Sequence, residues 1–268
     1  MAKQSRRGAL TRYLRSYHFA PRYAVQERLA LVASDGVRLV AHRLPALGTR
    51  RGAASLSVVV VHGLAHWSRT PAVYRFARML AAGGVEVIVP DLRGHGRSGG
   101  ECTFGRSEHL DVEAAVAAAS GSSVVTLGVS LGGAAVLLHA ARCGGMREVV
   151  AVSPPAWWGA DTEGTRRIER WVRGRAGRRV MSVLLRTRVS ADGDLVGNVG
   201  DEAASIRAAS TLIAADPEDW YFGPEHATQL YERAPDPKEL WWIRGAGHGS
   251  DLLTRALADR LLARWTAC

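Results

Sequence analysis

The sequence predicts one α/β domain with a mostly parallel central sheet and helices on both of its faces. Short β-branched runs alternate with longer amphipathic or alanine-rich segments along most of the chain, which is typical of parallel strands joined by helices. One run, Val58–Val61, consists of four consecutive valines and indicates a strand that is buried on both faces. The chain has 268 residues, 47% of them hydrophobic, which is enough for one large core.

The predicted elements are taken in chain order. Residues 25 to 44 are expected to form a hairpin, with Ser34-Asp35-Gly36 as its turn. Strands and helices then alternate over Val58–Val61, Pro71–Ala82, Val85–Val89, Glu108–Ser120, Val124–Leu127, Leu131–Arg142 and Glu148–Val152. The pattern lapses after Val152 and resumes with Thr211–Ala215, Pro224–Arg233, Glu239–Ile243 and Leu252–Trp265. We therefore divide the chain into an N-terminal arm (1–24), a core (25–153 and 201–268) and an insertion (154–200).

Cysteine usage and hydropathy indicate the cellular setting. The chain has three widely spaced cysteines, Cys102, Cys143 and Cys268. They do not form a disulfide framework, which favours a reducing compartment. No run approaches the ~20 apolar residues of a membrane-spanning helix. Ser5-Arg6-Arg7 is similar to the start of a twin-arginine export signal, but no apolar region follows it. We expect a cytoplasmic protein.

The formal net charge of +10 is concentrated in two segments. Residues 1–23 carry +6, residues 161–188 carry nine arginines against three acidic residues, and the rest of the chain is close to neutral. In the arm, Leu10, Tyr13, Leu14 and Tyr17 recur at helical spacing. The arm could therefore lie on an anionic membrane as a basic amphipathic helix, or pack its apolar stripe on the core. No nucleic-acid-binding module is evident, so no such partner is expected.

The segment around Ser130 carries the strongest chemical signal. A β-branched run leads into Gly128-Val129-Ser130-Leu131-Gly132, and an alanine-rich segment follows, which is the order strand, sharp turn, helix. The glycines allow the strained backbone of such a nucleophile elbow, with the serine Oγ exposed. The backbone N–H of Leu131 and the helix dipole would then favour a developing oxyanion. A glycine-rich packing turn is the structural alternative, so the motif needs partners.

A histidine and candidate acids follow the serine. His248 lies in Gly245-Ala246-Gly247-His248-Gly249, a loop after the last predicted strand, and an imidazole suits proton transfer near neutral pH. The orienting carboxylate must lie just past a strand end, close to that loop. Asp216 and Asp219 both qualify, and Glu218 stays open. An aspartate beside proline also commonly forms a turn or a helix cap.

Four motifs together resemble the α/β-hydrolase family, and most closely its lysophospholipase and monoacylglycerol-lipase-like branch of serine hydrolases. The motifs are Val58-Val59-Val60-Val61-His62-Gly63-Leu64, Pro90-Asp91-Leu92-Arg93-Gly94-His95-Gly96-Arg97-Ser98, Gly128-Val129-Ser130-Leu131-Gly132-Gly133 and Gly245-Ala246-Gly247-His248-Gly249. The resemblance covers roughly residues 27 to 265. It implies the α/β-hydrolase fold, with residues 154–200 as a small cap inserted after the sixth strand.

The resemblance also implies which carboxylate completes a Ser130, His248 and acid triad. In such proteins the acid usually lies in a G-x-x-D segment, a few residues before a helix that starts with a sequence like P-E-H-A. Here that start is Pro224-Glu225-His226-Ala227. A gap-free count from it places Asp219 at the acid position. Asp216 stands where the family has glycine, and it stays the alternative.

The resemblance further assigns the oxyanion hole and the rim of the pocket. It implies that the backbone N–H of Leu64 is the second oxyanion donor, beside that of Leu131, and that His62 is structural. Aromatic residues around the serine predict an apolar acyl pocket, although some of them could simply anchor the cap. The predicted pocket residues are His66, Trp67, Trp157, Trp158 and Trp220.

We expect neither a cofactor nor a metal. Gly94-His95-Gly96-Arg97-Ser98-Gly99 matches G-x-G-x-x-G, but the next segment continues as loop, whereas a dinucleotide site needs a helix to open there. We identified no phosphate-binding loop and no His, Cys and Asp cluster with metal-ligand spacing.

These residues predict a serine hydrolase that cleaves a carboxylic ester, lipid-like or with a small acyl group, through an acyl-enzyme. The small-molecule ester is its expected partner. An acyltransferase, a thioesterase or a peptidase would use the same groups. A catalytically silent ligand-binding or interaction protein is the alternative from another class, and the intact Ser130 and His248 argue against it.

Overall fold

The structure is a computed structural model that describes residues 26–47, 56–158, 163–191 and 198–266. The strands are β1 (Glu27–Val32), β2 (Arg38–Leu44), β3 (Leu56–Val61), β4 (Glu86–Pro90), β5 (Ser123–Val129), β6 (Glu148–Val152), β7 (Thr211–Ala215) and β8 (Lys238–Trp242). The helices are α1 (Pro71–Ala82), α2 (Glu108–Ala117), α3 (Leu131–Arg142), α4 (Glu163–Arg173), α5 (Arg175–Leu184), α6 (Val199–Glu202), α7 (Pro224–Arg233) and α8 (Arg255–Thr266).

The strands form one eight-stranded sheet in the order β1-β2-β4-β3-β5-β6-β7-β8. The β1 and β2 strands pair antiparallel, β2 pairs antiparallel with β4, and every neighbouring pair from β4 to β8 is parallel. The predicted hairpin is present, and Gly36 adopts φ +85° in its turn. Because parallel strands end at the same edge, the residues that follow β3, β5, β7 and β8 are brought together there.

Alternate valines of β3 pack on opposite faces of the sheet, and all four are fully buried. Val58 and Val60 belong to a cluster with side chains of α1 and α8. Val59 and Val61 belong to a cluster with side chains of α2, α3 and α7. The chain therefore adopts the predicted α/β-hydrolase fold, with a core on each side of the sheet.

The segment between β6 and β7 contains α4 and α5, which we call the cap hairpin, followed by the short α6. The alternating sequence pattern lapses over residues 154–200, so it does not locate these helices. Apolar residues do recur three and four positions apart in both helices, but the seven arginines of these helices obscure the pattern. The residues that follow the cap hairpin are joined to the loop after β4 by isolated bridges between His95 and Thr187 and between Cys102 and Val189.

The segment predicted as one helix over Leu252–Trp265 is divided in two. A single 3-10 turn spans Gly249–Leu252, and α8 begins at Arg255. Thr254 causes the new start, because its Oγ1 accepts the Leu257 N–H at 3.2 Å, as an N-cap side chain does. The N-terminal arm and its proposed amphipathic helix lie outside the described residues. Within the described part, no helix is long and apolar enough to cross a bilayer.

Candidate active site

Ser130 lies between the last residue of β5 and the first residue of α3. Its backbone has φ +52° and ψ −116°, a conformation that L-residues rarely adopt. Backbone bonds hold it there: its N–H donates to Val152 O at 2.8 Å, and its own carbonyl accepts the Ala134 N–H at 3.0 Å. The predicted sharp turn is therefore present.

The glycines around Ser130 are required by close backbone packing. A Cβ on Gly128 would lie 2.0 Å from the carbonyl oxygen of Gly132. A Cβ on Gly132 would lie 2.4 Å from the carbonyl oxygen of Val61, at the end of β3. Neither space can hold a side chain, so the turn is pressed against the neighbouring strand and its serine is fixed relative to the loop after β3.

His248 reaches Ser130 from the loop after β8. The Ser130 Oγ–H donates to Nε2 of the imidazole over 3.1 Å. Two positive-φ glycines, Gly245 (φ +73°) and Gly247 (φ +92°), let the loop turn back over the sheet edge. The Gly249 N–H donates to Ser153 Oγ at 3.2 Å, which ties the other side of the loop to the end of β6.

Asp219 lies on the far side of the imidazole. The Nδ1–H of His248 donates to Asp219 Oδ2 at 2.7 Å. The Asp219 side chain is 1% exposed, and its Oδ1 accepts the backbone N–H groups of Tyr221 at 2.8 Å and Phe222 at 3.3 Å. The structure thus brings Ser130, His248 and Asp219 into one hydrogen-bonded line.

Asp216 is also buried, but its carboxylate bonds backbone amides and not the imidazole. Its Oδ1 accepts the Glu218 N–H at 3.0 Å, and its Oδ2 accepts the Gly247 N–H at 2.7 Å. Asp216 therefore holds the loop that carries Asp219 against the loop that carries His248. Glu218 is exposed to solvent.

The two predicted oxyanion donors lie on the backbones that flank Ser130. The Leu131 amide opens α3, and the first intrahelical bond there is donated by Ala134, so the Leu131 N–H has no carbonyl of its own helix to bond. Leu64 follows Gly63, and a Cβ on Gly63 would lie 3.4 Å from Ser130 Cβ and 4.0 Å from its Oγ. The backbone before Leu64 therefore runs directly beside the serine.

Two buried, neutral histidines hold the Leu64 loop. The Nδ1–H of His62 donates to Gly63 O at 2.9 Å, and its Nε2 accepts the Leu92 N–H at 3.0 Å. His95 Nε2 accepts the N–H of Ala65, a residue with φ +59°. Burial lowers the pKa of both His62 and His95 to about 3. Each ring can therefore keep one accepting nitrogen at physiological pH, as its hydrogen bonds require.

The G-x-G-x-x-G match has a structural explanation in this loop network. Oδ1 of Asp91 accepts the Ser68 N–H at 2.8 Å, and Oδ2 accepts the Arg97 N–H at 3.0 Å. A Cβ on Gly96 would lie 2.3 Å from Asp91 Oδ2, so the glycine makes room for that carboxylate. The following helix, α2, begins only at Glu108.

The predicted rim residues His66 and Trp67 lie in the loop after β3. The Nδ1–H of His66 donates to Leu64 O at 3.1 Å. Burial lowers the pKa of His66 to about 4, and the nearby charge of His248 adds to this effect. The guanidinium of Arg186 lies 5.5 Å from the centre of the Trp67 ring, so Trp67 contacts the segment just after the cap hairpin.

The three other predicted pocket tryptophans have different surroundings. Trp220 is 46% exposed, and its ring lies 5.7 Å from the His248 ring in an edge-to-face contact. Trp157 is stacked on His226 of α7 at 3.7 Å, a packing contact. Trp158 packs edge-to-face on Phe104 at 6.0 Å. Of these three, the structure places Trp220 directly against the imidazole.

Two aromatic residues beside the imidazole were not predicted. The rings of Tyr221 and Phe222 lie 5.2 Å and 5.4 Å from the His248 ring. The Tyr221 hydroxyl also donates to Glu169 of α4 at 3.3 Å, so the segment that carries Asp219 contacts the cap hairpin. The available signal was their position two and three residues after Asp219.

The cap hairpin covers the Leu64 loop with apolar side chains. Val172 of α4 and Met181 of α5 form a small cluster with Ala65 and Val189. Leu64, Phe104 and Leu185 pack against this cluster. The surroundings of the candidate oxyanion donor are therefore apolar on the side of the cap hairpin.

One metal-ligand spacing was overlooked in the sequence. His139 and Cys143 lie four residues apart on α3, and their ligand atoms lie within 4.8 Å of each other and of a Glu113 carboxylate oxygen. His139 Nε2 and Glu113 Oε2 are 2.5 Å apart, in a direct bond. Within the described part of the chain, Nδ1 of His139 is buried without a hydrogen-bond partner, whereas a metal-binding histidine ordinarily has its second nitrogen bonded. We therefore interpret this cluster as a hydrogen-bonded pair beside a cysteine.

Comparison with known proteins identifies similar folds. The sequence model of a protein family, described as the alpha/beta hydrolase family, matches residues 58–268. Pyrococcus furiosus esterase Pf2001 is 20% identical, with a TM-score of 0.69 over 90% of each chain. Esterase EaEST from Exiguobacterium antarcticum is 16% identical, with a TM-score of 0.69 over 90% of this chain and 100% of that one. Esterase RhEst1 from Rhodococcus sp. ECU1013 is 19% identical, with a TM-score of 0.67 over 89% and 96%. A search of curated proteins finds no match.

Proposed function

The chain belongs to the α/β-hydrolase family, and we propose that it is a serine hydrolase that cleaves carboxylic esters through an acyl-enzyme. One observation carries the proposal. A serine on a positive-φ turn, an imidazole and a buried carboxylate form a continuous line of hydrogen bonds of 3.1 Å and 2.7 Å. This arrangement activates a hydroxyl as a nucleophile.

In the first half of the reaction, His248 Nε2 removes the Ser130 Oγ proton as Oγ attacks the ester carbonyl. The backbone N–H groups of Leu64 and Leu131 stabilise the oxyanion that forms. Asp219 keeps the imidazole oriented and stabilises its cation. The imidazolium then returns the proton to the leaving alcohol, the ester C–O bond breaks, and the acyl group stays on Ser130.

In the second half, water takes the place of the alcohol. His248 removes a proton from the water as its oxygen attacks the acyl carbonyl, and the proton then passes to Ser130 Oγ as the acyl–serine bond breaks. The carboxylic acid leaves and the enzyme is restored. The ester, one water molecule and the residues named here supply every atom that moves in these steps.

The apolar surroundings support an apolar acyl group in the substrate. Trp220 beside the imidazole offers exposed aromatic surface, and the buried cluster of Ala65, Val172, Met181 and Val189 makes the surroundings of the Leu64 loop apolar. We propose a lipid-like or small acyl ester, which agrees with the sequence resemblance to lysophospholipases and monoacylglycerol lipases. The further residues that we propose for the pocket are His66, Trp67, Trp157 and Trp158.

A fluorophosphonate probe tests the proposal, because it labels only an activated serine. Wild-type protein and a Ser120→Ala control should be labelled, since Ser120 precedes β5 and lies at the opposite strand end. Ser130→Ala should not be labelled, and its kcat on p-nitrophenyl esters should fall by about 10⁴-fold. A panel of acyl lengths, with a monoacylglycerol and a lysophospholipid, then defines the substrate. Absence of both labelling and ester hydrolysis in wild-type protein would refute the proposal.

A further inference from the structure

The cap hairpin leaves large apolar side chains in solvent. Nine large apolar side chains are exposed among the described residues, and five of them lie on α4 and α5. They are Ile168 (47% exposed), Trp171 (49%), Val180 (37%), Val183 (70%) and Leu184 (70%). Scattered single apolar side chains are normal on a protein surface, but a concentration on one short hairpin indicates a contact surface.

These side chains follow the helical period. Ile168 and Trp171 are three residues apart, and Val183 and Leu184 lie three and four residues after Val180, so each set shares one side of its helix. We call the described residues outside the cap hairpin the body. Two side chains of the hairpin, Val172 of α4 and Met181 of α5, pack on the body. Val172 lies four residues after Ile168, and Met181 lies three residues before Leu184. The exposed apolar strips therefore adjoin the apolar side that the hairpin already buries.

The charge of the same segment is strongly positive. Residues 161–188 hold nine arginines and three acidic residues. Arg178 and Arg188 donate to backbone carbonyls, and Arg186 lies over the Trp67 ring. The other arginines of the hairpin are exposed or half-buried: Arg166, Arg167, Arg170, Arg173, Arg175 and Arg179. Arginine beside exposed apolar side chains is typical of helices that lie in the interface of an anionic bilayer.

The aliphatic side chains favour a bilayer over a nucleic acid. Duplex binding uses cationic and polar groups on phosphates, and single strands stack their bases on aromatic rings. Val183 and Leu184, the two most exposed large apolar side chains among the described residues, have no function in either mode. Both could enter the acyl-chain region of a membrane, while the arginine head groups contact anionic phosphates.

The hairpin also lies beside the candidate active site. Glu169 of α4 accepts the hydroxyl of Tyr221, whose ring is 5.2 Å from the His248 ring. Trp220, which is 46% exposed, adjoins the same imidazole. We propose that the cap hairpin docks on an anionic lipid bilayer and so presents the active site to ester substrates held in the membrane. The statement about substrates rests on the proposed function, whereas the docking does not.

Vesicle flotation with the full-length chain tests the docking. Wild-type protein should float with vesicles of phosphatidylcholine mixed with phosphatidylglycerol, and not with phosphatidylcholine alone. Val183→Ser/Leu184→Ser should lower the partition coefficient by about tenfold or more, because both side chains lose their apolar insertion. The matched control is Val32→Ser/Leu47→Ser, whose residues are 64% and 53% exposed on the body. That control should bind as the wild type does.

A charge variant tests the electrostatic part. Arg175→Gln/Arg179→Gln removes two exposed cations of α5 and should lower binding to the anionic vesicles by about tenfold. Failure of the wild-type protein to bind anionic vesicles would overturn the proposal. Undiminished binding by both cap variants would also overturn it, since the N-terminal arm, present in every variant, would then carry the interaction. A gel shift with duplex DNA, lost in the arginine variant, without vesicle binding would assign the surface to nucleic acid.

Hydrolysis assays separate the two proposals. Both cap variants should cleave a soluble p-nitrophenyl ester at the wild-type rate and lose the rate increase that anionic vesicles give with a membrane-embedded ester. Activity on the soluble ester without vesicle binding would defeat the docking alone. Vesicle binding by a protein that cleaves no ester would defeat the proposed function alone.

Discussion

The body of the molecule and its cap hairpin differ in net charge and in how they bury apolar side chains. The body places its charges close to balance and buries two large apolar clusters, one on each face of the sheet. The cap hairpin is strongly cationic, exposes five large apolar side chains and contributes two others, Val172 and Met181, to a small buried cluster with Ala65 and Val189.

This difference indicates which region has to hold the triad atoms in fixed positions. Ser130, His248 and Asp219 all lie on the body, in loops at one sheet edge, and the backbone around Ser130 is packed too closely for a side chain at position 128 or 132. In the docking that we propose, the cap hairpin has to cover that edge and contact a membrane, while the body keeps the geometry of the reaction. The following predictions test this division, from the largest expected effect to the smallest.

The acid of the triad is tested by paired substitutions in the body. Asp219→Asn should lower kcat by about 10³- to 10⁴-fold, because an amide no longer holds the imidazole in the required tautomer. Asp216→Asn should cost far less in kcat, since its bonds are to backbone amides of Glu218 and Gly247. Steady-state kinetics on one soluble ester decide between them. A loss confined to Asp216→Asn would reverse the assignment.

The same substitution, leucine to alanine, should change the free energy of unfolding much more in the body than in the cap hairpin. Leu80 of α1 is fully buried in the body, whereas Leu184 of the cap hairpin is 70% exposed. Leu80→Ala should lower the free energy of unfolding by about 2–5 kcal/mol through lost burial and a cavity. Leu184→Ala should change it by about 0.5 kcal/mol or less. Urea unfolding followed by circular dichroism measures both, and similar losses would show that the hairpin is part of the core.

Acid should weaken the body through its buried histidines. The pKa of both His62 and His95 is lowered by burial from 6.5 to about 3, so between these values the unfolded chain binds protons that the folded chain does not. The stability contribution is therefore complete above about 6.5 and falls as the pH decreases toward 3, by up to about 1.4 kcal/mol per pH unit for each ring.

Melting temperatures measured from about pH 7 down to about pH 4, at constant ionic strength, check this dependence. The cap segment 161–188 contains no histidine, so the effect should arise in the body. A melting temperature that stays constant over this range would contradict the buried, neutral state of the two rings.

The smallest effect concerns the contact between the regions. Tyr221→Phe keeps the ring beside His248 and removes the hydroxyl that donates to Glu169. We expect a change in kcat/KM of about two- to five-fold, the range of one partly exposed hydrogen bond. Glu169→Gln keeps an accepting oxygen and serves as the matched control. A loss of several hundred-fold in Tyr221→Phe would show that the cap hairpin takes part in the chemistry.

Much of the fold and of the candidate site could be predicted from local patterns. The strand, sharp turn and helix at Ser130 need glycine at positions 128 and 132 for steric reasons that hold within a few residues, so the motif identifies them. The cap helices were missed because their exposed apolar strips and many arginines do not match the pattern of a helix that packs in a core. Glu113 lies beside His139 and Cys143 because α2 packs on α3, a contact that the spacing within α3 cannot show.

The sequence by itself determined the sheet, the serine turn, the histidine loop and the uneven charge, because each depends on periodicity, glycine sterics or composition. Only the tertiary structure decided that Asp219 faces the imidazole while Asp216 faces backbone amides, since the two lie on one turn and differ in direction. It also decided that the cap hairpin buries few apolar side chains against the body and exposes others to solvent. Directions and exposures of this kind arise from long-range packing, which no local pattern encodes.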